Sequence, residues 1–221
     1  MTDLDALTIA VLGGTGPQGR GLAYRFARAG LQVVLGSRST ERAESTAAEV
    51  SERAGRAVSG ADNLAAAAAG DIVILAVPWE GHAELLTQLA DALSGKLVVD
   101  CVNPMGFDKQ GAFALPVPEG SAAQQAAALL PDSRVVAAFH HVSAVLLEDP
   151  ETDELDTDVL VLGEEREDTD LIQELAARIP GMRGIYGGRL RNAHQVEALT
   201  ANLISINRRY KAHAGLRVTD V

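Results

Sequence analysis

The sequence predicts a doubly wound α/β fold with a mainly parallel sheet, and three of its features support this. Short apolar runs, such as Thr8–Leu12 and Asp71–Val77, alternate with amphipathic, alanine-rich stretches. Glycine or proline borders most of these runs, as expected for strands bounded by turns. No internal period of about 20–50 residues is present, which excludes a solenoid. Strands alternating with helices form βαβ units, which build a parallel sheet covered on both faces.

The predicted elements follow one another along almost the whole chain. Strands are predicted over Thr8–Leu12, Gln32–Leu35, Asp71–Val77, Lys96–Asp100, Arg134–Phe139, Asp158–Leu162 and Met182–Tyr186. Helices are predicted over Gln18–Ala29, Glu41–Ala54, Asp62–Ala69, Glu80–Leu93, Ser121–Leu130, Asp168–Ile179 and Leu190–Lys211. We therefore expect a main domain over residues 1–188 and a small helical C-terminal portion over 189–221. Gly106–Gly120 is too long for a simple connection, so we interpret it as a loop on the substrate side of the sheet rather than a disordered one.

The composition indicates a soluble globular protein that needs no disulfides. The chain has 221 residues, of which 47% are hydrophobic and 22% are charged. Its single cysteine, Cys101, excludes a disulfide framework and predicts a reducing, cytoplasmic environment. No signal peptide is expected, and no apolar run is long enough to span a bilayer. The formal net charge of −11 argues against nucleic acid as a partner.

The first predicted strand leads into a glycine-rich turn, which runs from Gly13 to Gly19 with the sequence GGTGPQG. Gly14, Gly16 and Gly19 match the pattern G-x-G-x-x-G. In that pattern one glycine allows the tight turn, one lets the backbone approach a pyrophosphate, and one lets the helix pack on the strand. Pro17 suits a first helical turn, whose free N–H groups attract phosphate. The turn therefore predicts a dinucleotide-binding fold of the Rossmann type.

The residues after the second predicted strand favour NADP over NAD. An NAD site would carry an acidic residue there to hold the ribose 2′-hydroxyl, but the chain reads Gly36-Ser37-Arg38. Ser37 can donate to a 2′-phosphate, and the planar guanidinium of Arg38 can pair with it. Arg42 lies one helical turn later and can add a second positive charge. In the alternative interpretation, Arg38 and Arg42 only pair with nearby glutamates on the surface.

Candidate ligand contacts follow the next two predicted strands. The segment Val77–Trp79 ends one of them, and we interpret Trp79 as a core or interface aromatic rather than a ligand contact. Asn103 follows the other strand. It either bonds an amide or ribose of the cofactor or serves as a turn residue before the following proline. We interpret Cys101 as a small buried apolar residue.

Two adjacent histidines, His140 and His141, follow the strand after that. Adjacent residues of an extended segment point to opposite faces, so we expect only one of them, His140, to reach the site. With no third ligand at a suitable spacing, a zinc site is not expected. No metal ligands are therefore predicted.

Together these segments resemble the F420-dependent NADP reductases, which transfer hydride reversibly between NADP(H) and the deazaflavin coenzyme F420. The resemblance runs from Thr8 to the helix around Asn192–Asn207. The glycine turn is widely shared, whereas its combination with Gly36-Ser37-Arg38 and a short chain is more specific. The resemblance implies a Rossmann domain, a small C-terminal portion, a homodimer, and NADP(H) and F420 as the two cofactors.

The resemblance also implies two neighbouring sets of cofactor contacts. The NADP contacts are expected at Gly14, Thr15, Gly16, Pro17, Gln18, Gly19, Ser37, Arg38 and Arg42. The nicotinamide half is expected near Val77, Asn103 and Ala144, and the deazaflavin near His140, Val142 and Thr200. Pro78 and Met105 complete the predicted cofactor contacts. His140 is expected to orient the ring and not to act as an essential acid.

Hydride transfer between two cofactors needs no protein nucleophile, since the protein supplies geometry and electrostatics. This agrees with the lack of a strong acid–base constellation in the sequence. Two alternatives stay open. The protein could reduce another acceptor with NADPH, such as a flavin, a metal ion or a small carbonyl compound, or it could sense NADP without turnover.

Overall fold

The computed structural model describes residues 3–221 and contains one large sheet and one small one. The strands are β1 (Thr8–Leu12), β2 (Gln32–Ser37), β3 (Val58–Asp62), β4 (Ile72–Leu75), β5 (Leu97–Asp100), β6 (Met105–Asp108), β7 (Gly111–Ala114), β8 (Arg134–Ala137), β9 (Thr157–Gly163) and β10 (Met182–Gly188). Eight of them form the large sheet in the order β10-β9-β8-β5-β4-β1-β2-β3. Within this large sheet, neighbouring strands are parallel except for β8 and β9, which are antiparallel.

Helices connect the strands and cover both faces of the sheet. They are α1 (Pro17–Arg28), α2 (Thr40–Ala54), α3 (Asn63–Ala69), α4 (His82–Leu93), α5 (Ala122–Leu129), α6 (Ala144–Glu148), α7 (Arg166–Ala177) and α8 (Ala193–Tyr210). The side chains of Ser39, Asp62 and Ser121 cap α2, α3 and α5 by accepting a backbone N–H of the first turn. No helix in residues 3–221 is both long and apolar enough to cross a membrane.

The central strands are apolar on both sides because helices cover both of their faces. Ile9 and Val11 of β1 belong to the apolar core on one face, and Ala10 and Leu12 belong to the core on the other. This alternation follows from the two-residue period of a strand. A parallel strand buried in this way appears in the sequence as a continuous apolar run, which is why β1, β4 and β5 could be predicted.

The order in which the chain adds strands reverses at β1, which lies between β2 and β4 and is parallel to both. The chain winds outward from β1 through β2 to β3 and then crosses to β4 on the other side. In such sheets ligands bind in the crevice at the carboxyl ends of the strands, at this switch point. The predicted fold class, a Rossmann-type doubly wound sheet, is confirmed.

The segment Gly106–Gly120 differs from the prediction, because much of it belongs to a β-hairpin. Strands β6 and β7 pair antiparallel with Met105 opposite Ala114, and the hairpin packs against α8. The Asp108 carboxylate accepts the amides of Gln110 and Gly111 and closes the turn. Each strand has only four residues and no apolar alternation, so the sequence carried no periodic signal for it.

Two further elements were missed, β3 and α6. In β3, a Cβ atom on Gly60 would lie 2.3 Å from the carbonyl carbon of Ala43, so this strand packs on α2 by its backbone and shows little apolar pattern. The helix α6 is stabilised by a residue that is distant in the sequence. The buried guanidinium of Arg25 donates to carbonyls of this segment, at 2.8 Å to Leu147 and 2.6 Å to Leu146. Neither cause is visible in the local sequence.

Candidate functional site

Three positions of the turn after β1 require glycine, one because of its backbone angle and two because of close packing. Gly13 has a φ of +73°, which favours glycine. A Cβ atom on Gly14 would lie 2.9 Å from the Val11 carbonyl oxygen, and one on Gly19 would lie 2.8 Å from the Cα of Gly14. The Gly14 amide donates to the Gly36 carbonyl at 3.0 Å, which ties the turn to the end of β2. These contacts hold α1 close to the edge of the sheet.

Gly16 is different, because nothing within the protein requires it to be glycine. A Cβ atom there would lie 3.5 Å from the Gly13 carbonyl oxygen, which is an ordinary contact. Gly16 is also the N-cap of α1 and offers no side-chain cap. Within residues 3–221, the amides of Gln18 and Gly19 in the first turn have no hydrogen-bond acceptor. The turn thus leaves open space and free N–H groups at a helix N-terminus, a combination that suits an anion.

Two arginines lie beside this turn at the end of β2 and the start of α2. Ser37, the last residue of β2, is 5% exposed, whereas Arg38 and Arg42 are exposed. Within the described part of the chain neither guanidinium forms a salt bridge or hydrogen bond, so the structure does not support the alternative that they pair with nearby glutamates. The one carboxylate at the neighbouring strand end, that of Asp62, is engaged by the Ala65 amide at 2.8 Å.

A cavity of about 400 Å³ continues from the turn along the carboxyl ends of β4, β5 and β8 to α8. Seven of the predicted cofactor contacts line it: Gln18, Val77, Asn103, His140, Val142, Ala144 and Thr200. The lining also contains residues that were not predicted, which are Ala76, Cys101, Val102, His141, Ser143, Leu203, Ile204, Asn207 and Ala214. Pro78 and Met105 are not among the lining residues, and their roles stay predictions.

Both histidines line this cavity, so the expectation that only one could reach it is wrong. Strand β8 ends at Ala137, and Phe139 adopts a left-handed conformation with a φ of +64°. The chain then makes a turn, in which the Val142 amide donates to the Phe139 carbonyl. The alternation of an extended strand therefore does not apply to His140 and His141. Gln18 also donates to the Phe139 carbonyl at 3.1 Å and connects the turn of α1 to this segment.

His140 presents a buried ring without partners to the cavity. Both of its ring nitrogens lack a hydrogen-bond partner within residues 3–221, as does Nδ1 of His141. Burial lowers the pKa of each histidine to about 4, so both are neutral at physiological pH. The main chain of His140 is held firmly. Its carbonyl oxygen accepts hydrogen bonds from Nδ2 of Asn103 at 2.8 Å and from the Thr200 hydroxyl at 3.1 Å.

Asn103 makes a contact that neither of its two predicted roles included, and its bond to a cofactor stays a prediction. Its amide nitrogen fixes the His140 carbonyl, while its Oδ1 is buried and has no partner within the described residues. Cys101 is buried, with its Sγ 2.8 Å from the Leu75 carbonyl oxygen, which confirms its interpretation as a small core residue. Trp79 packs against the core and against the ring of His82, as expected for a core aromatic.

One buried pair next to the cavity was not predicted at all. His82, the first residue of α4, pairs with Asp100, the last residue of β5, and both side chains are inaccessible to solvent. The only sequence signal was an aspartate at the end of an apolar strand. Residues 3–221 contain no group of three or more His, Cys, Asp or Glu side chains that could hold a metal ion.

Comparison with known proteins gives the same assignment over the whole chain. Residues 8–104 match the family model described as NADP oxidoreductase, coenzyme F420-dependent. The F420-dependent NADP reductase of Methanothermobacter thermautotrophicus is 40% identical to this chain, and the alignment covers 100% of this chain and 98% of that protein. The chain belongs to the F420-dependent NADP reductase family.

Other members of the F420-dependent NADP reductase family are also similar to this chain over nearly its whole length. The enzyme of Methanothermobacter marburgensis is 40% identical over 97% of this chain and 99% of its own length. Among solved structures, a candidate F420-dependent NADP reductase of Arthrobacter sp. FB24 superposes with a TM-score of 0.83 at 25% identity. That match covers 97% of this chain and 100% of the other.

Proposed function

We propose that this protein catalyses reversible hydride transfer between NADP(H) and coenzyme F420. The strongest support is the continuity between the glycine turn and the cavity at the sheet edge. An open helix N-terminus without a side-chain cap lies at one end, and four buried polar atoms that have no partner within residues 3–221 lie around the other. The names of full-length relatives supply the two cofactors. Two adjoining cofactor sites are what the reaction requires.

The phosphate half of NADP(H) would be held by the turn from Gly14 to Gly19 and by the end of β2. The pyrophosphate would approach the backbone at Gly16 and the free amides of α1, where the helix adds partial positive charge. The 2′-phosphate would lie among Ser37, Arg38 and Arg42. The two arginines supply local positive charge in a chain whose net charge is −11.

The ring half would occupy the cavity, with the nicotinamide near Val77, Asn103 and Ala144 and the deazaflavin near His140, Val142 and Thr200. The cofactors supply the redox chemistry, in which a hydride moves between the two rings and one proton is exchanged with solvent. The free Oδ1 of Asn103 can accept a hydrogen bond from an amide. A neutral His140 can donate or accept at the ring edge without adding a charge.

The test is a spectroscopic exchange experiment with purified protein. Mixing it with NADPH and oxidised F420 should bleach the visible deazaflavin band, and reduced F420 with NADP⁺ should restore it. Flavins, ferric complexes and small carbonyl compounds serve as competing acceptors in the same assay. Exchange with one of those and not with F420 would favour the first alternative, and bound NADPH without consumption would favour a sensor.

Arg38→Asp tests the NADP half separately. Replacing the guanidinium with a carboxylate should raise the dissociation constant for NADPH by roughly a hundredfold and leave NADH binding nearly unchanged. Arg56→Asp is a matched control, because it makes the same charge change at an exposed position just beyond α2. An unchanged preference for NADPH over NADH in Arg38→Asp would contradict the assigned role.

A homodimer in the cytoplasm, with a division of the chain at residues 188 and 189, is also part of the proposal. The hairpin and the helix α8 on which it packs expose large apolar side chains, among them Phe107, Phe113 and Tyr210. Covering such side chains with a second copy would remove apolar area from water. Light scattering should give twice the chain mass, and Phe107→Asp should shift the protein towards monomer.

A further inference from the structure

A buried ion pair lies directly behind the wall of the ring cavity. Nε2 of His82 lies 2.7 Å from Oδ2 of Asp100, and neither side chain is exposed to solvent. Neither residue lines the cavity. The pair joins the start of α4 to the end of β5, the strand that leads into Cys101, Val102 and Asn103 on the cavity wall.

The hydrogen bonds around His82 fit an imidazolium cation, in which both ring nitrogens donate. Nε2 of Gln125 donates to a carboxylate oxygen of Glu119 at 3.2 Å, so the amide oxygen of Gln125 faces His82. That oxygen, 3.0 Å from Nδ1, can only accept. Nδ1 therefore donates to Gln125, and Nε2 donates to Asp100. Burial is the largest influence on the pKa of His82 and lowers it, but the hydrogen bonds to Asp100 and Gln125 and the charges of Asp100 and Glu197 together outweigh burial, so the pKa is raised above its usual value.

Asp100 uses its second oxygen to hold the chain that follows β5. Oδ1 accepts the backbone amide of Val102 at 2.9 Å, and Val102 itself is buried. Without this acceptor the Val102 amide would be buried without a partner, which is unfavourable. The pair therefore fixes the path of the chain where it leaves the strand and enters the cavity wall.

The next residue carries this constraint to the histidine segment. Asn103 follows Val102, and its amide nitrogen binds the His140 carbonyl, which also accepts the Thr200 hydroxyl. A shift of the β5 end would move the donor of Asn103 away from His140. The His140 carbonyl thus connects the end of β5, through Asn103, to α8, through Thr200. The positions of these two walls of the ring cavity therefore depend on the two hydrogen bonds.

We infer that His82 and Asp100 are positioning residues for hydride transfer. Their buried ion pair holds the end of β5 in the turn that presents Asn103 to His140, and so sets the relative position of the two rings. This inference rests on the proposed function. Transfer is sensitive to such a shift, since a misplacement of about 1 Å can reduce a rate about a hundredfold.

The charge state can be measured without any cofactor. In the whole protein labelled with ¹⁵N-histidine, the His82 ring should keep two protonated nitrogens above pH 6.5, the usual pKa of a histidine, and His82→Gln assigns the signal by removing it. Asp100→Asn should convert His82 to the neutral form while its own amide oxygen still accepts from Val102. A His82 ring that loses its second proton at or below pH 6.5 in the unaltered protein would overturn the inference.

The positioning role is measured by single-turnover hydride transfer from NADPH to F420. Asp100→Asn and His82→Gln should slow transfer by about tenfold or more, while the dissociation constant for NADPH changes by less than about threefold. The exposed residues Asp91 and His194 provide matched controls, as Asp91→Asn and His194→Gln, and these should leave the rate unchanged.

The outcomes separate the two ideas. Folded Asp100→Asn and His82→Gln proteins with the original transfer rate would contradict the positioning role alone, whereas a lack of exchange in the unaltered protein would contradict the proposed function. If both variants fail to fold, Gln125→Met tests the same pair, since it removes the acceptor of Nδ1, together with an exposed bond to Glu119, and leaves His82 and Asp100 in place. It should give a neutral His82 and slower transfer, and an unchanged rate with a neutral His82 would overturn the inference.

Discussion

The glycine turn allows a test that separates packing from ligand binding, because its glycines differ in what surrounds them. A Cβ atom on Gly16 would meet nothing closer than 3.5 Å, whereas one on Gly19 would lie 2.8 Å from the Cα of Gly14 and 2.9 Å from the Gly13 carbonyl oxygen. The neighbours of Gly19 are backbone atoms, which cannot move aside as a flexible side chain could. Alanine should therefore have opposite effects on the stability of the protein at these two positions.

Gly16→Ala should leave the fold intact and weaken NADPH binding. Gly16 has a φ of −82° and a ψ of 162°, which alanine adopts without strain. The loss of a glycine from the unfolded chain then stabilises the protein by up to about 1 kcal/mol. The added methyl group occupies the space through which a pyrophosphate would approach the backbone. We expect the dissociation constant for NADPH to rise at least about tenfold, equivalent to about 1.4 kcal/mol.

Gly19→Ala should instead lower stability. A gain of about 1 kcal/mol from helix propensity is opposed by overpacking against backbone, which costs about 1–3 kcal/mol. At about 2–4 °C for each kcal/mol in a chain of this size, the melting temperature should fall by a few degrees. Thermal unfolding and fluorescence titration with NADPH measure both variants. If Gly16→Ala binds NADPH as tightly as the original protein, the space at Gly16 is not a phosphate site.

Three further predictions concern buried titratable groups. His140 has a folded pKa of about 4 and an unfolded value near 6.5, so its contribution to stability is present above pH 6.5 and is lost as the pH falls towards 4. His140→Asn should reduce this acid-induced loss of stability by roughly 3 kcal/mol, measured by urea unfolding. The pKa of Asp158 is held well below its usual range by Arg183, so its contribution is present at neutral pH and is lost only as the pH falls below about 4; Asp158→Asn should lower stability at pH 7 by about 2 kcal/mol, and an unchanged urea midpoint would contradict this. The Cys101 thiol, whose pKa burial raises, should react with a thiol reagent only after unfolding, and rapid labelling of the folded protein would show that the cavity wall opens.

The phosphate end of the site could be predicted from sequence because its chemistry is local. The turn at Gly14–Gly19 and the segment at Ser37 and Arg38 each lie within a few residues of a strand end, and the sheet brings strand ends together. The ring end could be predicted only in part, because it is assembled from distant segments. The cavity includes Asn207 and Ala214 from α8 and the tail beyond it, and no spacing in the sequence connects them to β4 or β5.

The same reasoning explains why the histidine segment was misjudged. Periodicity arguments assume that a strand continues, and here it ends two residues before Phe139. A buried phenylalanine with a positive φ has no sequence signal, because the conformation is imposed by tertiary contacts such as the Gln18 side chain and the edge of the Phe26 ring. Tertiary context, not local preference, brings both histidines to the cavity lining.

Departures from the usual rules of folding concentrate at this cavity, and that concentration is itself an argument for function. Five buried polar side-chain atoms have no partner within residues 3–221, and four of them belong to Asn103, His140 and His141. The strained backbone at Phe139 and the buried charges of His82 and Asp100 lie next to them. Unsatisfied buried groups and backbone strain each lower stability, and a protein tolerates such costs together mainly where a ligand or a reaction needs the geometry. The fifth atom, Oδ1 of Asn63, does not line the cavity and lies at the end of β2, where a Cβ atom on Gly36 would be 2.9 Å from it.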